Sequence, residues 1–182
     1  GVYLYGDSPN RAHGKRIEGN FLGPAADGVT ALGNGGAAIR WGQPITNTTI
    51  GGTAPGSGNV IAFNAATDQP GSACGVGDPL NFGPSGIAIL GNSIHSNTGL
   101  GIKGDLINSP GRGNFPFLSS AISNNGVITI EGRLNSVSNA PHRIEFFANP
   151  TFDPSSHGEG KIFLGATNVP TDSNGYVAFT AV

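Results

Sequence analysis

Apolar residues along the front of the chain recur at a fixed spacing from glycine and asparagine. The pattern is Gly, then Ile or Leu three positions later, then Asn, Asp or Gly three positions after that, as in Gly86, Ile89 and Asn92. Its copies begin at glycines 1, 14, 36, 58, 86, 91 and 99, and those at 14, 36 and 58 are 22 residues apart. A period near twenty with short apolar centres and Gly or Asn punctuation predicts a β-solenoid.

The spacing corresponds to a short strand followed by a corner. The central Ile points inward, and the next bend needs a backbone conformation that Gly, Asn and Asp accept more readily than β-branched residues. Stacked coils lie about 4.8 Å apart, so Asn side chains at the corners can hydrogen-bond along the axis. The 22-residue period predicts that Ile17, Ile39, Ile61 and Ile89 stack in neighbouring coils of a parallel β-helix. The apolar residue at each centre argues against the alternative, a disordered Gly/Asn-rich tract.

The back of the chain has a different pattern, with longer apolar segments separated by turns. These segments are residues 126–132, 143–148, 161–165 and 176–182, and the turn 172–175 before the last one is a strong hairpin signal. An antiparallel sandwich is the class that fits. Only about four strands can be placed, whereas an immunoglobulin-like sandwich takes about seven.

The two patterns predict the domain organisation of an all-β protein. Residues 1–108 form the parallel β-helix, residues 109–118 form a linker whose Phe residues dock on a neighbouring surface, and residues 119–182 form an incomplete, Ig-like antiparallel sandwich. The stretch 65–84 lengthens one interval of the pattern and contains Cys74. It is expected to be a protruding loop, and a tolerated insertion is favoured over a functional one.

Composition excludes several classes of function. The chain has 182 residues, a net charge of −2 and only 11% charged residues. No apolar stretch is long enough for membrane insertion, and the nearest basic group, Arg11 to Arg16, is expected to be a solvated corner rather than a nucleic-acid site. A single cysteine permits neither an intrachain disulfide nor a Cys-based zinc site. Since the chain lacks Met and begins inside a copy of the pattern, we expect it to be a piece of a longer polypeptide.

Several segments resemble a known family. The segments are RIEGNFLG at 16–23, NTTIGGTAPGSGNVI at 47–61, GLGI at 99–102 and RIEFFANP at 143–150. They resemble large secreted bacterial proteins with right-handed parallel β-helix repeats, including those with a CSLREA-type signature, and the sandwich module that follows such helices. The resemblance implies an exported, extracellular or cell-surface protein but no particular reaction. Phe152 stands where the family often has Cys, which would leave Cys74 without a partner.

Residues that could support catalysis are scattered. The front of the chain has carboxylates at Asp7, Glu18, Asp27, Asp68, Asp78 and Asp105. Acid–base or calcium sites need such groups clustered on one face. Glu18 aligns with Arg40 across the 22-residue period, and a ladder ion pair is favoured over a catalytic pair. The four histidines share no metal spacing, so we expect no catalytic residue, no metal site and no cofactor, and structural calcium is not indicated.

Aromatic residues suggest one binding site. Trp41, with Tyr3, Tyr5 and Arg40, could form an outward-facing platform for glycans, although Trp41 could instead pack against a loop. We expect a non-catalytic extracellular or cell-surface structural or adhesive protein. The alternative is a carbohydrate-binding or polysaccharide-degrading β-helix protein with most of its site outside this chain. Both ends look unfinished, which predicts head-to-tail self-association into an open filament.

Overall fold

The computed structural model describes residues 1–5, 13–42, 45–65, 74–77, 86–103, 115–152 and 158–182. Secondary structure in these ranges consists of strands, with parallel and antiparallel sheets and no helix, which confirms the all-β prediction. The chain divides into two compact units. The first is Gly1–Asp105 with Phe147–Leu164, and the second is Leu106–Phe146 with Gly165–Val182.

The first unit contains three parallel sheets. Their strand orders are β1-β4-β7-β10, β2-β5-β8 and β3-β6-β9, so the chain visits the sheets in turn and each three consecutive strands make one round. The strands are β1 Val2–Leu4, β2 Arg16–Ile17, β3 Phe21–Leu22, β4 Ile39–Trp41, β5 Thr48–Gly51, β6 Val60–Ala62, β7 Cys74–Gly77, β8 Ile87–Leu90, β9 Ser93–His95 and β10 Leu100–Lys103.

The pairing register corrects the predicted stack of isoleucines. Ile17 pairs with Ile50, and Ile50 pairs with Ile89, in one sheet. Ile39 and Ile61 lie in the two other sheets, so the stack of Ile17, Ile39, Ile61 and Ile89 in neighbouring coils is wrong. The reason is that β2, β4 and β6 are each two strands apart along the chain. The 22-residue spacing therefore links different sheets and is shorter than a full round.

The isoleucines nevertheless point into a shared core. Ile39, Ile50, Ile61 and Val76 are fully buried in one hydrophobic cluster, with side chains from all three sheets. The prediction that Ile39 and Ile61 face inward is confirmed. Full burial of one such side chain stabilises the fold by roughly 1.5–3 kcal/mol.

The sequence predicted that Cys74 lies in a protruding loop, and this prediction is wrong. Residues 66–73 and 78–84 of that stretch are outside the described residues. Cys74–Gly77 between them is strand β7, buried at every position, and it pairs with β4 and β10. The four-residue strand has Gly at its second and fourth positions, and this composition concealed its apolar character in the sequence.

The second unit contains an antiparallel sheet of strands β11 Phe117–Asn124, β12 Val127–Asn135 and β15 Tyr176–Ala181. Strand β13 Pro141–Ala148 pairs with β14 Ile162–Pro170, and residues 147–148 and 162–164 of these two strands belong to the first unit. The four predicted strands are present, and β11 is a further strand that the sequence analysis missed. The core side chains are Ile130, Leu134, Ile144, Phe146, Val169 and Phe179.

The predicted turn and linker have different outcomes. Asp172 accepts hydrogen bonds from the backbone N–H groups of Asn174 and Tyr176, both at 2.8 Å, which confirms the turn. The predicted hairpin is wrong, because β14 pairs with β13 and β15 pairs with β12. Residues 109–114 of the linker are outside the described residues. Phe115 and Phe117 are 68% and 53% exposed, so the expected docking of these rings is not found. The Arg133 guanidinium lies 4.5 Å from the centre of the Phe117 ring.

Candidate functional site: asparagine ladders and a corner groove

Asparagines at the corner between the second and third sheets form a hydrogen-bonded ladder. The Nδ2 of Asn20 donates to the Oδ1 of Asn59 at 3.0 Å, and the Nδ2 of Asn59 donates to the Oδ1 of Asn92 at 2.8 Å. The backbone N–H groups of Asn20 and Asn59 donate to the same two oxygens. The steps are 39 and 33 residues, which are the lengths of successive rounds at this corner.

A second ladder occupies the corner between the third and first sheets. The Nδ2 of Asn34 donates to the Oδ1 of Asn64 at 2.7 Å, and that of Asn64 donates to the Oδ1 of Asn97 at 2.8 Å. Asn64 is fully buried, and its Nδ2 also reaches the carbonyl oxygens of Leu22 and Ala62. The predicted hydrogen bonds between corner asparagines are therefore present.

Glu159 occupies the next position of the second ladder. The backbone N–H of Asn97 lies 3.2 Å from its Oε2, and the Nδ2 of Asn97 lies 2.8 Å from its Oε1. Asn64 donates the same two groups to Asn97. The Glu159 carboxylate thus replaces the amide oxygen of a further asparagine.

Residues 159–161, the capping segment, also pair with strand β9. Ile94 and Gly160 exchange two backbone hydrogen bonds of 2.8 Å, and the Ser93 hydroxyl donates to the carbonyl of Lys161 at 2.7 Å. Asn149 holds the segment from the other side: its Nδ2 donates to the Glu159 carbonyl, and its Oδ1 accepts the Lys161 N–H at 3.0 Å. These bonds fix the segment along the edge of the third sheet.

A groove of about 580 Å³ lies beside the capping segment, which is a volume typical of small-ligand sites. The ring of His95 packs edge-to-face on Phe63, with centroids 5.9 Å apart. Phe152 is 81% exposed at the groove. The lining side chains include Phe63, His95, Ser96, Asn149, Phe152 and Lys161.

The charge of the groove is carried by Lys161 and Glu159. Partial burial lowers the pKa of His95, and the positive charge of Lys161 lowers this pKa further. His95 is therefore neutral at pH 7 and can donate or accept a hydrogen bond. The Glu159 carboxylate is engaged by Asn97, whereas Lys161 is exposed.

Two groove residues have left-handed backbone conformations. Phe63 has φ 62° and Ser96 has φ 57°, and each precedes an asparagine of the second ladder. The corresponding residues before Asn20 and Asn92 are glycines with φ 66° and 59°. A bulky side chain in this region costs about 1–2 kcal/mol. The groove therefore keeps an aromatic ring at position 63, although the backbone conformation there favours glycine.

The predicted carbohydrate-binding residues are only partly exposed. Trp41 is 6% exposed and belongs to the hydrophobic core, so its predicted outward orientation is wrong. Side chains alternate along β4, which puts Trp41 on the same side as the buried Ile39 and leaves Arg40 outside. The Arg40 guanidinium lies 4.6 Å from the centre of the Tyr3 ring, and the Tyr3 and Tyr5 rings are 5.8 Å apart. Carbohydrate binding by these three exposed residues stays a prediction.

Glu18 has a partner other than the one predicted. It forms an ion pair with Arg16, two residues away, so the predicted pair of Glu18 with Arg40 is wrong. The register explains this, since Arg40 pairs across the sheet with Tyr3 and Gly77.

Comparisons with known proteins add no further constraint. No protein-family model matches this chain, and the comparison with curated proteins found no match. Within the described ranges, no group of three or more His, Cys, Asp or Glu residues could hold a metal ion. No helix in the same ranges is long and apolar enough to cross a membrane. The resemblance to secreted β-helix repeat proteins stays a prediction.

Proposed function

We propose that this chain is a non-catalytic structural or adhesive part of an extracellular or cell-surface protein of bacterial type. We further propose that its first unit is a right-handed parallel β-helix. Crossover connections between parallel strands of one sheet are right-handed in about 98% of cases, which supports the hand. The observation that carries the functional proposal is the pair of asparagine ladders.

The ladders suit a structural element that resists mechanical force. Asn59 and Asn64 are almost completely buried, and each bonds to the rounds before and after it. Sliding of one round against the next would leave amide groups that stay buried without partners, at a cost of about 1–3 kcal/mol for each group. Neighbouring rounds therefore resist sliding, as a stalk or fibre requires.

Surface labelling tests the location in this proposal. Antibodies raised against the chain are applied to intact and to permeabilised cells of the source. Labelling of intact cells is expected, and labelling confined to permeabilised cells contradicts the proposal. Pulling single molecules between Gly1 and Lys103 tests the mechanical role, because Asn64→Ala should lower the unfolding force of the first unit.

Carbohydrate binding is the second candidate function, favoured by the exposed pair of Tyr3 and Tyr5 beside Arg40. Tyr3 and Tyr5 are 49% and 55% exposed, and flat rings with polar rims suit contact with sugar rings. Glycan-array binding should be lost in Tyr3→Ala and retained in Tyr176→Ala, which removes an exposed tyrosine of the second unit. Equal binding by both variants would place the site elsewhere, and no binding by the parent chain would exclude this candidate.

A further inference from the structure

The groove beside the capping segment belongs to the first unit alone. Its lining residues all lie within Gly1–Asp105 or Phe147–Leu164. Its volume of about 580 Å³ is large enough for a small organic ligand. The aromatic residues of the predicted glycan site are not among its lining residues. A ligand bound in the groove would therefore occupy a separate site.

Three side chains with planar rings line the groove. The rings of Phe63 and His95 pack edge-to-face with centroids 5.9 Å apart, which is a favourable arrangement for an aromatic pair. Phe152 is 81% exposed, so most of its ring surface is open to a ligand. A planar ring that enters the groove can pack edge-to-face or offset against these side chains. The rings therefore favour an aromatic ligand.

Lys161 supplies a positive charge next to the rings. Its side chain is exposed, and its ammonium forms no ion pair with any described residue. Partial burial and then the charge of Lys161 lower the pKa of His95, so the ammonium lies near that ring. The carboxylate of Glu159 is engaged instead by two donors of Asn97. An anionic group beside the rings would therefore gain a charge-assisted hydrogen bond from Lys161.

Other polar groups of the groove already have hydrogen-bond partners. Asn149 uses both ends of its amide on the capping segment. The Thr98 hydroxyl donates to the carbonyl of Asn64, and the Ser96 hydroxyl lies 3.1 Å from the Nδ1 of His95. A sugar has a hydroxyl on most of its carbons, and hydroxyls that lose water without gaining partners weaken binding. The groove therefore suits a ligand with one polar end better than a sugar.

We propose that this groove binds a small aromatic carboxylate. The ligand ring packs on Phe63, His95 and Phe152, and its carboxylate accepts a hydrogen bond from the ammonium of Lys161. This role gives a reason for the ring at position 63, where the φ of 62° favours glycine. The inference uses only groove residues and rests neither on the structural role of the ladders nor on an extracellular location.

Four small probes test the class of ligand. Benzoate has the ring and the carboxylate, benzyl alcohol has the ring alone, acetate has the carboxylate alone, and glucuronate has a sugar ring with a carboxylate. Titrations of the whole chain are followed by the NMR signals of the His95 ring, which are assigned by comparison with His95→Gln. Benzoate should bind about tenfold more tightly than each of the other three.

Each departure from this order contradicts part of the proposal. Benzyl alcohol that binds as tightly as benzoate would remove the role of the carboxylate. Acetate or glucuronate that binds as tightly as benzoate would remove the role of the aromatic ring. No binding of benzoate would overturn the site itself.

Two exposed side chains separate the contributions of charge and ring. Lys161→Ala should weaken benzoate binding about tenfold and leave benzyl alcohol binding unchanged, because only benzoate uses the ammonium. Lys161→Arg should retain benzoate binding, since it keeps the positive charge. Phe152→Ala should weaken the binding of both probes. The matched control is Lys15→Ala, which removes an exposed lysine outside the groove and should bind like the parent chain.

Folding of each variant is checked by the fluorescence of Trp41 during denaturation. The replaced side chains are exposed, so the variants should unfold at the same denaturant concentration as the parent chain. A folded Lys161→Ala or Phe152→Ala that binds benzoate as tightly as the parent chain overturns the proposal. Equal weakening by Lys15→Ala would show that benzoate follows overall charge and not the groove, and it would also overturn the proposal.

Discussion

Glu159 receives both the backbone N–H and the side-chain amide of Asn97, at 3.2 and 2.8 Å. Asn97 receives the same two groups from Asn64, at 3.1 and 2.8 Å. A carboxylate can take the place of an amide oxygen here because an ionised carboxylate only accepts hydrogen bonds. A segment 62 residues along the chain thereby completes a corner of the first unit.

Replacing a core isoleucine should strongly destabilise the first unit. Ile61 is fully buried, so Ile61→Ala is expected to lower the free energy of unfolding by about 2–5 kcal/mol. Trp41 is the one tryptophan of the sequence and lies in the same core, so its fluorescence during chemical denaturation reports on this unit. Ile102→Ala is the control, because Ile102 is 49% exposed. A loss below about half a kcal/mol for Ile61→Ala would contradict its place in the core.

Replacing a ladder asparagine should lower the free energy of unfolding more when its side chain is more buried. Asn64→Ala removes the Oδ1 that accepts from the N–H and Nδ2 groups of Asn34 and the Nδ2 that donates to the Oδ1 of Asn97. The cost is about 1–3 kcal/mol for each buried group left unsatisfied. Asn20→Ala should cost less, because Asn20 is an exposed end rung. The same denaturation assay compares the two variants. Equal losses would mean that the ladder bonds contribute little beyond local turn geometry.

Backbone strain at Phe63 predicts an unusual order of variants. Phe63→Gly and Phe63→Ala both remove the ring, but only Gly relieves the positive φ of 62°. Phe63→Gly should therefore be more stable than Phe63→Ala, by about 1 kcal/mol. At an ordinary exposed strand position such as Ile122 the order should be reversed, since Gly there is less favourable than Ala. Greater stability of Phe63→Ala would show that the corner relaxes without strain.

Cys74 should make stability depend on pH in alkaline solution. Burial raises the pKa of the Cys74 thiol from 9.0 to about 11, although the charge of Lys103 opposes the shift. Between these values the unfolded chain loses the thiol proton and the folded chain keeps it, so the free energy of unfolding falls as pH rises. Denaturation of the parent chain and of Cys74→Ala across this range measures the difference. The free energy of unfolding of Cys74→Ala should fall less steeply as pH rises. Parallel curves for the two proteins would contradict the raised pKa of Cys74.

The short Gly-to-Asn pattern located strands and corners but not their pairing. Ile61 and Asn64 stand in it as a buried strand residue and a corner asparagine, as predicted. Register depends on the length of a whole round, and the asparagine steps vary between 30 and 39 residues, so no single period describes it. The inward orientation of Trp41 could have been predicted, because side chains alternate along a strand and Ile39 points inward.

The candidate groove could not be predicted from the sequence. Its walls combine Phe63 and His95 from one part of the chain with Asn149 and Lys161 from another. No local pattern marks Glu159 as a ladder residue, because its role follows from the position of Asn97 in space. Strain at Phe63 is likewise invisible in the sequence, although Gly19 and Gly91 have the same left-handed conformation before Asn20 and Asn92.

The separation of Asn97 from Glu159 sets an order of events during synthesis. Rounds of the first unit can stack as the polypeptide leaves the ribosome, but the last amide waits for a residue made 62 positions later. At about 5–20 residues per second, that delay is roughly 3–12 s. During this interval the β9 edge has formed, but residues 159–161 do not yet cover it. Neighbouring nascent chains on one messenger RNA could associate at this edge.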